Sequence, residues 1–169
     1  MEKSRITRGT RYGIFGGLVA TIVTDLVSLI MFLILGESLP DFYTLFGKSF
    51  LTLFHLQADY PLWQGLTLHY SIGILTGLMV GILTQRISLL KFNTYRKSIL
   101  IAVIITQVEG LTLFYLMSVV LNMPQSEMIP IYGMGIFLHT IWGACLGSIL
   151  AFGQQRSGSK FGYSNISGT

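Results

Sequence analysis

Four ionisable side chains interrupt otherwise apolar stretches of this sequence: Asp25, His69, Glu109 and His139. Intramembrane chains of Asp, Glu and His mark proton and cation paths. Two carboxylates and two imidazoles also suit the first shell of a transition metal such as zinc, iron or copper. Two histidines on facing helices can serve as both axial ligands of haem, although carboxylates in the same layer oppose the apolar pocket a porphyrin needs. The plainest alternative is structural: acid–His hydrogen bonds that fix helix register, at about 0.6 kcal/mol each in a membrane. A catalytic role is the weakest reading, because the sequence contains no Walker loop, no dinucleotide glycine turn, no HExxH and no Ser–His–Asp arrangement.

The elements that must position these groups follow from composition. Of 169 residues, 51% are hydrophobic and only 11% charged, with mean hydropathy +0.66. Soluble domains carry about 25% charged residues, so a soluble enzyme and a disordered chain are both excluded. Apolar runs cover residues 13–35, 64–86, 98–121 and 129–152. Each is long enough to cross a hydrocarbon slab of about 30 Å at about 1.5 Å per residue. Only helices and closed barrels satisfy their backbone in lipid, and no period-2 alternation is present. The sequence therefore predicts an all-α membrane protein with four transmembrane helices. Counting residues along the spans puts all four ionisable groups about 16–22 Å from the inner side, in one layer. Thr21, Thr24, Asp25 and Ser28 share one helical stripe, which should face the bundle interior. Two acid–His pairs, one per half of the chain, would satisfy the layer.

The two halves carry a common pattern. Gly65, Leu68, His69, Gly73 and Gly77 recur as Gly135, Leu138, His139, Gly143 and Gly147, at a constant offset of 70 positions. This predicts two tandem helical hairpins related as a parallel repeat. The glycine ladders, with Gly81 extending the first, read foremost as helix-packing grooves. The first half is longer by a Phe- and Leu-rich segment, about residues 40–56, read as an amphipathic helix lying in the outer interface. His55 lies in that segment and reads as a surface group. Cys145 and Trp142 read as packing residues, and so do Met117, Met123, Met128 and Met134 rather than as a copper site.

Ten of the eleven Lys and Arg precede span one, lie between spans two and three, or follow span four, leaving only Lys48 on the opposite side. This bias predicts a multi-pass protein of the cell membrane with both termini cytoplasmic. The basic residues then set topology and touch lipid headgroups; without an aromatic-interleaved basic platform, nucleic acid is not expected as a partner. Residues 153–169 read as a mobile cytoplasmic tail, on which the acceptor-like Asn165-Ile-Ser167 is a chance match. The long apolar run 13–35 has no small-residue cleavage motif after it and does not read as a cleaved signal peptide.

The GLVAT opening of span one, the His-x3-Gly-x3-Gly pattern in spans two and four, and the four-span layout resemble small prokaryotic integral membrane proteins of unknown function, over residues 12–152. The resemblance implies an architecture and no activity, and it assigns no role to Asp25 or Glu109. The leading expectation is a non-enzymatic accessory or packing subunit of a larger membrane assembly or homo-oligomer. The competing one is a metal-binding or cation- or proton-conducting protein using Asp25, His69, Glu109 and His139.

Overall fold

The computed structural model of the chain describes residues 2–87 and 94–158, and the described residues form five helices with no strand. They are α1 (Glu2–Leu35), α2 (Leu39–Leu53), α3 (Pro61–Arg86), α4 (Tyr95–Val120) and α5 (Gln125–Gly158). Four are long and apolar enough to cross a membrane, over Ile6–Leu35, Pro61–Arg86, Tyr95–Val120 and Met128–Gly153. The protein is thus a multi-pass integral membrane protein by length and composition of its helices. Helix α5 runs on to Gly158, several residues beyond the expected start of the tail. The rest of that tail, with Asn165-Ile-Ser167, lies outside the described residues.

Local chemistry sets the helix ends. Helix α1 stops at Gly36, whose φ of 71° reverses the chain so that the Glu37 N–H donates to the Phe32 carbonyl at 2.8 Å. The same capping closes α2 and α4 with non-glycine residues at the left-handed position. At His55 (φ 56°) the Leu56 N–H reaches Leu51, and at Asn122 (φ 49°) the Met123 N–H reaches Ser118. Proline sits in the first turn of α2 (Pro40) and opens α3 (Pro61), where its missing N–H costs nothing. At the start of α3 the Tyr60 N–H donates back to the Gln64 side chain at 3.1 Å. Thr94 caps α4 by accepting from the Lys97 N–H.

Helix α1 packs along α3 and α4 packs along α5, each as an antiparallel pair. The α1–α3 seam is backbone on backbone. Gly9, Gly13 and Gly17 face Gly81, Gly77 and Gly73, so close that a Cβ on any of them but Gly73 would strike the opposite carbonyl. In the α4–α5 seam Gly143 meets the Thr106 side chain and the Val103 backbone, Gly147 meets the backbone of Ser98 and Ile99, and Gly135 meets the Phe114 ring. Short α2 lies on α3 with Gly47 against Gly65 and also reaches α4.

The two pairs join through α1 and α5, but only over part of their length. Named contacts run from Tyr12 at Gly153, through Leu146 at Gly16, to Trp142 at Thr21. Around them sits the core of Ala20, Val80, Trp142, Leu146 and Leu150. Beyond Thr21 the two helices diverge, and the α3 and α4 helices touch little. The bundle is therefore tight at the end that carries residues 9–17 and 146–153 and splayed at the end of the α1–α2 and α4–α5 loops.

Candidate functional site

Between the splayed helices lies a cavity of about 830 Å³. It extends from the loops, at Glu37, Ser38, Met123 and Ser126, down to Thr21 and Trp142. Asp25, His69, Glu109 and His139 all line it. Its upper walls are largely apolar, with Phe32, Phe42, Phe46, Leu113, Phe114 and Met134 among them. The arrangement is an apolar chamber with a polar base.

The polar stripe of α1 points inward, with Thr21, Thr24 and Ser28 at 1%, 7% and 5% exposure. Each threonine returns its hydroxyl to the preceding turn, Thr21 to Gly17 and Thr24 to Ala20. The Thr21 oxygen also accepts from the Trp142 indole N–H at 3.0 Å, while its side chain fills the place a Gly73 side chain would take. One threonine thereby ties α1, α3 and α5 together.

Asp25 completes the stripe, and its Oδ1 lies 3.0 Å from the His69 Nε2. The His69 ring is held nearly edge-on by Phe42 and Phe46, with ring centres 6.2 and 6.1 Å away, and tilted against Tyr43 at 5.5 Å. All three rings come from α2, so this short helix is what encloses the histidine. Burial, and then the Asp25 charge beside it, push the Tyr43 phenol upwards in pKa, so it stays neutral.

The second pair expected from the sequence does not form. Glu109 turns instead to α3, where its Oε1 accepts from the Thr76 hydroxyl. His139 lies on Gly110 of α4, within 2.6 Å of where a Cβ would stand, and edge-on to Phe114 at 5.8 Å. Its Nδ1 is buried with no hydrogen-bond partner. The physical reason is rotational. Gly110 opens a slot directly beneath the imidazole, and the ring fills it, so the neighbouring carboxylate faces the gap between α3 and α4.

The four groups share a cavity without converging on a point. No three His, Cys, Asp or Glu among the described residues form a metal-holding group. His69 spends its Nε2 on Asp25, and the His139 ring lies against Gly110. The described residues therefore hold no group of three or four such ligands of the kind a metal shell uses.

The glycines singled out in the sequence all lie at close helix contacts: Gly65, Gly73, Gly77 and Gly81 on α3, and Gly135, Gly143 and Gly147 on α5. The α1 partners of Gly81, Gly77 and Gly73, namely Gly9, Gly13 and Gly17, are not among them, although their four-residue spacing is itself a ladder. Thr76 and the α2 rings were also missed; Thr76 is one more threonine in a span, and nothing local marks it. Cys145 is a free thiol, half-buried against the core. His55 is exposed and ends α2. Gln107, polar on an otherwise apolar face, donates at 2.7 Å to both the Ile136 carbonyl and the Thr140 hydroxyl.

No family model, curated protein or solved structure matches the chain.

Proposed function

We propose that this protein is a membrane-embedded binding protein or carrier, which takes a small, largely apolar molecule with a polar group into the chamber between α1, α4 and α5. One observation carries the reading: all four intramembrane ionisable groups border a single cavity of about 830 Å³ whose remaining wall is mainly apolar. Binding sites for small molecules are of this size and character, at about 300–1,000 Å³ with a few polar groups set in apolar walls. The inward-facing Asp25 stripe also means the chain covers its own polar groups. That favours a self-contained site over an accessory subunit whose partner must cover them. The tight glycine seam beneath the chamber favours binding from one side over conduction through the bundle.

In this reading the site faces outwards, because the basic residues put both termini in the cytoplasm and the α1–α2 and α4–α5 loops outside. Helix α2 then lies at the outer interface as part of the chamber rim. The equivalent placing of Thr21 at Gly73 and Thr106 at Gly143 supports two tandem hairpins of common descent, with α2 as the insertion that fills only one of them.

The test uses the full chain in lipid nanodiscs and the probe N-phenyl-1-naphthylamine. Saturable one-to-one fluorescence enhancement above that of empty nanodiscs is expected, together with its loss in Leu113→Trp, which fills the chamber. Equal signals with and without protein would overturn the reading.

A further inference from the structure

The charge inventory of the chamber is one-sided. Asp25 and Glu109 stand at its base and Glu37 and Asp41 near its mouth, while no Lys or Arg is found among the described residues that line it. The basic groups present are two imidazoles, of which one already faces Asp25. Glu109 is left with the Thr76 hydroxyl as its hydrogen-bond partner. Aromatic rings supply the rest of the recognition surface: Phe42 and Phe46 from α2, Phe114 from α4 and Trp142 from α5 all border the same space.

Carboxylates in a cavity bordered by aromatic rings and without Lys or Arg among its described lining residues form an arrangement that suits organic cations. A cation gains from the ring quadrupole, by more when desolvated, and from the carboxylate whose burial it offsets. Acids at the mouth raise the local cation concentration and speed entry. An inorganic ion would leave the apolar walls unused, and a compact hydrophilic amine would leave most of the volume empty. Resting on the binding reading above, we propose that the ligand class is a lipophilic organic cation, a quaternary ammonium or a protonated amine on an apolar body. Its charge sits by Glu109 at the base, and its body lies against Phe42, Phe46 and Phe114.

Tetraphenylphosphonium and tetraphenylborate have nearly the same shape and opposite charge, so they separate charge from size. The readout is Trp142 fluorescence in Trp63→Phe, in nanodiscs of digalactosyldiacylglycerol, which carries no ammonium. Saturable binding of the phosphonium at least tenfold tighter than of the borate is expected. Glu109→Gln should weaken the phosphonium at least tenfold without lowering the thermal unfolding midpoint, while Glu109→Asp restores much of the preference. Adding phosphatidylcholine to the disc tests the source. A tenfold weaker phosphonium affinity then assigns the site to a lipid ammonium, and an unchanged affinity to a free cation; both support the class. Equal affinity for the two ions, with naphthylamine still bound, would overturn the cation assignment alone. Failure of every probe to bind would overturn the chamber reading with it.

Discussion

At the scale of single residues, the site rests on hydrogen bonds that each join different helices. Trp142 donates into Thr21, and Thr21→Val leaves that buried N–H without an acceptor. The expected cost is about 1–3 kcal/mol of stability in detergent. Adding Trp142→Phe should cost less than the sum of the two single changes, which a double-mutant cycle by thermal unfolding checks. Asp25 and His69 should show a smaller coupling, about 0.6–1.7 kcal/mol, in an Asp25→Asn, His69→Phe cycle. The Asp25–His69 pair was legible in the sequence because two rare polar groups at equal depth have few other partners. The Glu109 partner was not. A glutamate reaches in several directions, and only the slot at Gly110 and the side to which α4 turns decide between His139 and Thr76.

At the scale of elements, spans and their order could be read directly, because twenty apolar residues in lipid admit one secondary structure. The ends of the helices were less legible, since capping depends on single residues that break no hydrophobic pattern. His55 takes a left-handed conformation that costs about 1–2 kcal/mol relative to glycine. His55→Gly should therefore raise the unfolding midpoint. The glycines divide into two kinds with opposite expected effects. Gly13→Ala or Gly77→Ala drives a methyl into the facing backbone and should destabilise by about 1–3 kcal/mol. Gly133 has nothing within 4 Å of a Cβ, so Gly133→Ala should stabilise α5 by about 0.5–1 kcal/mol. Thermal unfolding of the three variants side by side would check both signs. Sequence spacing identifies a ladder but does not distinguish a glycine under contact from one facing open space.

At the scale of the whole molecule, the basic-residue bias makes a topological prediction. In a Cys145→Ala background, Asp59→Cys on the α2–α3 loop should react with a membrane-impermeant maleimide on intact cells. Ile87→Cys, at the end of α3, should react only after permeabilisation. The reverse pattern would invert the chamber to face the cytoplasm. The cavity itself was not visible in the sequence, because a void is a property of how two helix pairs diverge and leaves no residue pattern. Divergence begins where the bulk of Trp142 meets Thr21, above a seam in which Gly16 and Gly153 take Leu146 and Tyr12. Such a body has the shape of a clothes-peg: one end is clamped, the other open, and the arms part at the Trp142–Thr21 contact. Each arm is a helix pair, α1 with α3 and α4 with α5. Widening the mouth therefore means moving two helices together on each side, with the jaw below unchanged.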